Sequence, residues 1–213
     1  MMLAVTDPNF SIIVPGECNA HCEFCLDHRS DKMKVLDVGG CRKTKLPVPE
    51  GHEHILLDIV PGEGVDIVAD ARNMLHLKAK EYSVIWSSHC LEHFTSIEIP
   101  KVLEGFRHVL KDDGLVVITV PDVRKLFCNM LRHSHYLLDV AYMAGEMPVT
   151  YADILYGSEA ILRAGHPYFK HNYGFDLKSL VQVMSQNGFT GEAQESPNGW
   201  DIIYVGGKSE RSN

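Results

Sequence analysis

The sequence lacks a long apolar run, a basic amino terminus and an excess of positive charge. Its longest apolar runs, among them residues 115–120 and 202–205, are far shorter than the roughly 20 residues that a membrane-spanning helix requires. Residues 1–13 contain no Lys or Arg, whereas a secretion signal opens with a positively charged region. We therefore expect no membrane span and no secretion, and we predict a cytoplasmic protein.

The charge balance argues against a nucleic-acid partner. The 213 residues carry a formal net charge of −8 at pH 7, which provides no general field to attract a phosphate backbone. The chain is 45% hydrophobic and 23% charged, as is typical of globular domains, and its length suits one domain with a full core. A small molecule is the expected partner, and the sequence leaves the oligomeric state open.

The six cysteines of such a chain indicate reduced thiols rather than a disulfide scaffold. Cys18, Cys22 and Cys25 have the spacing with which some iron–sulfur enzymes hold a four-iron cluster. The preferred interpretation is a helix that buries these cysteines as small apolar residues. A metal-binding or iron–sulfur protein is the alternative, and we assign no metal.

Short β-branched runs alternate with polar or helical stretches from residue 33 onward. This alternation is typical of a parallel sheet that helices cover on both faces. The predicted strands are residues 34–38, 55–59, 67–69, 82–87 and 115–120, followed by a closing antiparallel hairpin of residues 191–195 and 201–205.

Two helices are predicted from apolar periodicity and capping signals. The first covers residues 97–110 and buries a face that includes Ile97 and Phe106, with a turn at Gly114. The second covers residues 177–186 and begins at a capping aspartate. Both helices belong to the layers that cover the sheet.

Three segments fall outside this strand and helix pattern. Residues 122–173 are too long for a single crossover and contain two predicted helices rich in aromatic and histidine residues. We interpret them as a lid inserted into a main domain of residues 32–208. Residues 1–31 are predicted to be an extension with a short helix that packs on the sheet, and residues 209–213 a disordered tail.

A strand that ends in an acid and a glycine turn is the sharpest chemical signal. Asp37 lies near the end of the first predicted strand, Gly39 and Gly40 follow, and Asp58 lies at the end of the second predicted strand. A glycine turn lets a cofactor approach the backbone closely, and an acid at the tip of the next strand can accept both hydroxyls of a ribose. The pattern therefore indicates a cofactor that contains adenosine.

The ordered series of motifs around this turn resembles the class I S-adenosylmethionine-dependent methyltransferases, in particular the small enzymes of the type 11 kind. The series continues through residues 57–59, 64–71, 83–94 and 109–122, and the resemblance extends over roughly residues 33–208. It implies an α/β, Rossmann-like fold with about seven strands, mostly parallel with an antiparallel last strand, and a helical lid. It also implies S-adenosyl-L-methionine as the cofactor.

The resemblance further implies where this cofactor binds. The residue that matches Asp58 holds the ribose, the one that matches Asp70 contacts the adenine amino group, and the glycine turn faces the methionine portion. Cys41 departs from the family pattern, which usually has a second glycine at that position of the turn. The expected cofactor-binding residues are Asp37, Gly39, Gly40, Asp58, Ile59, Asp70, Ala71, Ser87 and Ser88.

One histidine pattern suggests a metal site. His89, Glu92 and His93 fit the inverted zinc-protease pattern, in which two histidines one helical turn apart bind zinc and the glutamate activates water. The resemblance accounts for the same stretch as the opening of the helix after the fourth strand. We therefore predict no zinc there.

Histidines of the predicted lid are candidates for proton transfer. His133, His135, His166 and His171 are either solvated surface residues or part of a substrate pocket. Ligands of open α/β sheets bind beyond the carboxyl ends of the strands, and residues 166–173 combine aromatic side chains with histidines. We therefore predict that His166 or His171 acts as the catalytic base.

The sequence thus predicts methyl transfer from S-adenosylmethionine to a small-molecule acceptor, such as a sugar or a glycan precursor. The protein would act mainly by aligning the acceptor with the sulfonium methyl group and by excluding water. A non-catalytic adenosine-binding protein is the alternative from another functional class. The acceptor and the methylated atom stay open.

Overall fold

The computed structural model describes residues 32–40 and 52–209. These residues form one seven-stranded sheet and a two-stranded hairpin. The strands are β1 (Lys34–Val38), β2 (Glu53–Asp58), β3 (Ile67–Val68), β4 (Tyr82–Ser88), β5 (Leu110–Pro121), β6 (Val140–Ala144), β7 (Met147–Thr150), β8 (Phe189–Glu195) and β9 (Asp201–Lys208).

The strand order in the large sheet is β3-β2-β1-β4-β5-β9-β8. All pairs from β3 to β5 are parallel, whereas β9 runs antiparallel to both of its neighbours. The chain proceeds outward from β1 to β3 and then returns to β4, so the order reverses between β1 and β4. Open α/β sheets bind ligands at such a reversal. The predicted fold class, a Rossmann-like α/β sheet with an antiparallel last strand, is confirmed.

Helices cover the sheet and complete its core. Phe106 and Met184, on two different helices, are fully buried in the same apolar cluster as Leu36 and Ile85 of the central strands. Residues 115–120 of β5 are buried without alternation, as expected for a strand covered on both faces. The α-helices in the described ranges are α1 (Ile99–Val109), α2 (Val123–His133), α3 (Tyr151–Tyr156), α4 (Glu159–Arg163) and α5 (Leu177–Gln186).

Two local predictions are wrong, although both predicted helices are confirmed as α1 and α5. Ile97 lies outside α1 and is 80% exposed, because the helix is capped at Glu98. The predicted turn at Gly114 is part of β5, whose register against β4 shifts between Tyr82 and Val84. The additional residues of β5 around Gly114 therefore form a bulge-like irregularity, and the strand stays in the sheet.

The lid between β5 and α5 contains more structure than predicted. In place of two helices it has α2, α3 and α4 together with the β6–β7 hairpin. The Asp122 carboxylate caps α2 by accepting a hydrogen bond from the Lys125 amide at 3.0 Å, and Thr150 and Asp153 form a capping box at the start of α3. The hairpin strands are short and mostly exposed, so they lack the alternation that signals a strand.

Several predictions fall on residues outside the described ranges. They concern the extension of residues 1–31 with its three cysteines, the turn residue Cys41, and residues 210–213. Ser209 is described, and its amide donates a hydrogen bond to the Gly188 carbonyl at 3.0 Å. Within the described ranges no helix is long and apolar enough to cross a membrane.

Candidate functional site

The carboxyl ends of β1 to β4 surround a cavity of about 440 Å³, which we call the first cavity. The turn after β1, the acids after β2 and β3, and the turn after β4 form its wall, and the end of the lid closes one side. Five of the nine residues predicted to bind the cofactor line it, namely Gly39, Asp58, Ile59, Asp70 and Ala71.

Close neighbours require glycine in the turn after β1. Gly39 has a φ of +73°, and a Cβ atom there would lie 2.6 Å from the Sγ atom of Cys90. A Cβ atom on Gly40 would lie 2.4 Å from the Oδ2 atom of Asp37. The Gly39 amide donates a hydrogen bond to the Leu57 carbonyl at 2.8 Å. The turn therefore presents bare backbone to the first cavity.

Asp58 ends β2 in the wall of the first cavity. Its Oδ1 atom accepts a hydrogen bond from the Val60 amide at 2.7 Å, which orients the carboxylate. Its Oδ2 atom has no hydrogen-bond partner among the described residues. A carboxylate with one oxygen held by the backbone and one oxygen open is suited to accept hydrogen bonds from the hydroxyl groups of a ligand.

Asp70 lines the same wall, but Arg72 already pairs with it. The Arg72 Nη2 atom lies 2.6 Å from Oδ2, and Nε lies 3.0 Å from both carboxylate oxygens. Arg72 also forms an ion pair with Glu98. The hydrogen bonds from Arg72 hold the pKa of Asp70 below its usual range. Asp70 therefore has less capacity left for a ligand than Asp58 has.

Asp37 and Gly40 do not line the first cavity. Asp37 is 3% exposed, and its Oδ2 atom lies 3.2 Å from the Nε2 atom of His54 on β2. Burial raises the pKa of Asp37, although the contact with His54 opposes this. The carboxyl group of Asp37 packs against Gly40 and therefore stabilises the turn after β1.

The chain enters the first cavity after β4, later than the sequence predicted. Ser87 is buried and Ser88 is half-buried, and neither lines the cavity. His89 and Cys90 lie in the wall instead. His89 has a φ of +49°, which is uncommon for a residue other than glycine, and its amide donates to the Thr119 carbonyl at 2.9 Å.

A second cavity, of about 900 Å³, lies between the lid and the ends of β4, β5 and β9. Much of its wall is aromatic or apolar, with the rings of Tyr142 and Trp200 5.3 Å apart. His89, His93 and Phe169 line both cavities. The two cavities therefore meet at the turn after β4.

Glu92 lies beneath this junction and is 1% exposed. Its Oε1 atom lies 3.2 Å from the Nδ1 atom of His89, and its Oε2 atom has no partner among the described residues. Burial disfavours the charged carboxylate, but the hydrogen bond with His89 and the neighbouring histidines hold its pKa below the ordinary value. The Glu92 carbonyl accepts hydrogen bonds from the amides of Asn172 and Tyr173 at 2.8 and 3.1 Å, so the end of the lid is fixed to this turn.

His89 lies between two carboxylates. Its Nδ1 atom faces Glu92, and its Nε2 atom lies 3.3 Å from the Oδ2 atom of Asp201. A carboxylate beside each ring nitrogen favours the imidazole form that carries a proton on both nitrogens. Desolvation lowers the pKa of His89, although its side chain is 49% exposed, and the two acids raise the pKa well above its ordinary value. Both ring nitrogens of His89 therefore face carboxylates, and the expectation of no zinc at His89 and His93 stays a prediction.

The two predicted catalytic histidines occupy different environments. His171 is half-buried in the wall of the second cavity, and its Nδ1 atom lies 2.9 Å from the Ile154 carbonyl. A carbonyl only accepts, so Nδ1 carries the proton and Nε2 carries the lone pair. Burial lowers the pKa of His171. His166 is exposed and lines neither cavity.

Sequence reasoning missed several residues that line the cavities. Arg72, Glu98 and Phe169 belong to no spaced motif, and they reach the cavities only because the turns and the lid converge there. Glu92 and His93 were noticed only as parts of a zinc-protease pattern, which pairs His93 with His89. In the fold His171 also lies beside His93, with the two ring centroids 5.0 Å apart.

This fold and site define an α/β protein with a ligand cavity at the carboxyl ends of its strands, and comparisons with known proteins specify the family. Residues 12–194 match a family model described as a methyltransferase domain. None of the curated proteins compared with the sequence matches it.

Solved structures share the fold at low sequence identity. The PH0226 protein from Pyrococcus horikoshii has a TM-score of 0.57 and 18% identity, over 86% of this chain and 85% of that one. The 1,6-didemethyltoxoflavin-N1-methyltransferase of Burkholderia thailandensis, crystallised with 1,6-didemethyltoxoflavin and S-adenosylhomocysteine, has a TM-score of 0.56 and 16% identity, over 86% and 74% of the two chains. A SAM-dependent methyltransferase from Aquifex aeolicus has a TM-score of 0.51 and 14% identity, over 82% and 81%.

The family model matches most of the chain, and the chain therefore belongs to this family of methyltransferase domains. It is an S-adenosylmethionine-dependent methyltransferase with the class I fold, as the resemblance predicted. The narrower type 11 subgroup stays a prediction.

Gly39→Ala should lower the free energy of unfolding by more than the strain of a positive φ alone would. Alanine in this backbone region costs about 1–2 kcal/mol, and its Cβ atom would also collide with Cys90. We expect the free energy of unfolding to fall by about 2–4 kcal/mol in a denaturant titration. Gly145→Ala is the matched control, because Gly145 has a φ of +63° with no atom within 4 Å of an added Cβ. Equal losses in the two variants would contradict the role of the contact with Cys90.

Proposed function

We propose that this methyltransferase binds S-adenosylmethionine in the first cavity and a small-molecule acceptor in the second, and that the methyl group moves where the two cavities meet. The observation that carries this proposal is the shared wall of His89, His93 and Phe169. A displacement between two molecules is fast only when both are held in contact and in line. Two cavities with a shared wall favour that arrangement.

The described residues of the first cavity fit the donor. Its volume of about 440 Å³ suits a nucleoside-sized ligand. The open oxygen of Asp58 would accept the ribose hydroxyls, and the bare backbone at Gly39 would lie along the methionine portion. Ile59, Asp70 and Ala71 would contact the adenine. S-adenosylmethionine supplies an electrophilic methyl group on a sulfonium.

The other four predicted cofactor residues have supporting roles in this proposal. Asp37 lies against Gly40 and keeps the turn in shape. Ser87 and Ser88 end β4 and so set where the following turn enters the first cavity.

The wall of the second cavity favours a flat, largely uncharged acceptor. Trp200 contacts Tyr142 and, edge-on at 6.0 Å, Tyr151. Aromatic walls stack on aromatic rings and bury apolar surface, and they also suit the apolar face of a sugar. The Burkholderia enzyme is named for a small-molecule acceptor. We therefore propose a small aromatic alcohol or amine and retain the predicted sugar or glycan precursor as the second candidate. The cytoplasmic location stays a prediction.

We propose that His171, rather than His166, acts on the proton of the acceptor. His171 lines the second cavity, and its Nε2 atom is open because Nδ1–H donates to Ile154. Burial lowers the pKa of His171, so the ring is neutral near pH 7 and can take part in proton removal.

Asp58→Ala should weaken binding of S-adenosylhomocysteine by about 1–3 kcal/mol, the usual cost of losing a charge-assisted hydrogen bond. Isothermal calorimetry measures this affinity, and circular dichroism checks the fold. Asp70→Ala should cost less, because Arg72 already occupies that carboxylate. Unchanged affinity in Asp58→Ala would contradict the ribose assignment, and a larger loss in Asp70→Ala would reverse the two roles.

The acceptor class is tested by following S-adenosylhomocysteine formation with aromatic alcohols, aromatic amines and nucleotide-activated sugars. With an active acceptor, His171→Ala should lower turnover by about 10²–10⁴-fold while affinity for S-adenosylhomocysteine stays constant. His166→Ala should lower turnover far less. His133→Ala, which changes an exposed lid histidine, is the control.

Full turnover in His171→Ala would contradict the role of this histidine. Absence of S-adenosylhomocysteine binding to the wild-type protein would contradict the proposed function as a whole.

A further inference from the structure

We infer that Glu92, His93 and His171 bind one divalent transition-metal cation at the junction of the two cavities. The inference rests on the proposed function, because that function places the acceptor beside these residues. It also departs from the sequence analysis, which assigned no metal.

The three side chains lie close enough to share one ion. Each offers one ligand atom, and these atoms all lie within 4.8 Å of one another. Bonds of about 2.0–2.2 Å place the ligands of one ion roughly 3–4 Å apart, so side-chain movements of about 1 Å would complete the site. The rings of His93 and His171 are tilted by 59° rather than stacked in parallel, which allows both to direct a nitrogen at one point.

The buried carboxylate of Glu92 is the independent sign of a ligand. Its Oε1 atom faces His89, whereas its Oε2 atom is buried without a partner among the described residues. Burying a polar atom without a partner destabilises the folded state. A cation bound to the Oε2 atom of Glu92 would supply the missing partner.

Both histidines are oriented as metal ligands commonly are. The Nδ1 atom of His93 lies 3.1 Å from the Lys170 carbonyl, and that of His171 lies 2.9 Å from the Ile154 carbonyl. These contacts place the proton on Nδ1 and leave the lone pair on Nε2 in each ring. Metal-binding histidines typically donate their other ring N–H to such a carbonyl or carboxylate.

The donor set selects the kind of cation. Two imidazole nitrogens and one carboxylate oxygen favour zinc, iron(II), manganese or cobalt over calcium and magnesium, which prefer oxygen ligands. Three protein ligands leave coordination positions open, and His93 and His171 both line the second cavity.

A cation there would lower the pKa of an acceptor hydroxyl. That hydroxyl would release its proton to water, and its oxygen would bond to the methyl carbon as the carbon–sulfur bond of the donor breaks. His171 would then act through the cation rather than as a free base.

The test is a cobalt(II) titration of the full-length protein after treatment with EDTA, followed by visible absorption. Replacing Cys18, Cys22 and Cys25 with alanine in all samples removes the cysteine group whose spacing resembles a cluster site. We expect one equivalent to bind, and at least about tenfold weaker binding in each ligand variant. The variants are Glu92→Gln, His93→Asn and His171→Asn, with His133→Ala as the control and circular dichroism as the check on folding.

Absence of cobalt binding, or binding that the three ligand variants leave unchanged, would overturn the inference. With an active acceptor, EDTA treatment should abolish turnover and manganese, zinc or cobalt should restore it, at constant affinity for S-adenosylhomocysteine. If the EDTA-treated protein keeps full turnover while His171→Ala loses it, His171 is a free base; the cation inference then fails and the proposed function stands. If S-adenosylhomocysteine does not bind to the wild-type protein, the proposed function fails whatever the cobalt result.

Discussion

A carboxylate buried at the end of a sheet requires hydrogen bonds or a neighbouring charge, and the side chain of Glu92 obtains both from His89 at one of its two oxygens. His89 pairs with its side chain, and the amides of Asn172 and Tyr173 pair with its backbone carbonyl. His89 also contacts Asp201 at the start of β9. The backbone of Glu92 thus connects the turn after β4 to the returning end of the lid, and the side chain of His89 connects it to the last strand. The first and second cavities meet at this connection, where His89, His93 and Phe169 line both.

The two sides of the junction differ in chemistry. In the wall of the first cavity, Arg72 pairs with Asp70 and Glu98, whereas Asp58 keeps one carboxylate oxygen without a partner among the described residues. The wall of the second cavity is largely aromatic and apolar around Trp200, which favours a flat acceptor and the exclusion of water. The turns after β1 and β4 lie so close together that a Cβ atom on Gly39 would collide with Cys90, and both residues line the first cavity.

Capping and turn residues, which act within a few positions of the chain, were sufficient to predict helix α5 and the turn after β1. Helix α5 spans the predicted residues because Asp176 and Ser179 form a capping box at its start, and the glycine turn follows β1 as expected. Strand β4 was predicted to end at residue 87, but it continues to Ser88, which pairs with Thr119 of β5. The pairing with β5 sets this end, and the chain turns away only at His89. Propensity carries no information about such a register.

The junction could not be predicted because its residues are distant in sequence. The Asn172 side chain donates to the His93 carbonyl across 79 positions, and no spacing rule connects them. Asp37 was assigned to the cofactor from its place in the motif, yet its side chain faces His54 on the neighbouring strand. The sequence therefore predicted which strands end at the first cavity, and the packing of the turns and the lid decides which side chains line it.

A crystal structure of the protein with S-adenosylhomocysteine tests the central claim most directly, because the claim is that the donor lies in the first cavity and reaches the junction. We expect the ribose hydroxyls at the Asp58 carboxylate and the sulfur atom at the side of the cavity nearest to His93. A ligand bound outside the first cavity, or one whose ribose lies away from Asp58 and whose sulfur lies away from His93, would contradict the account.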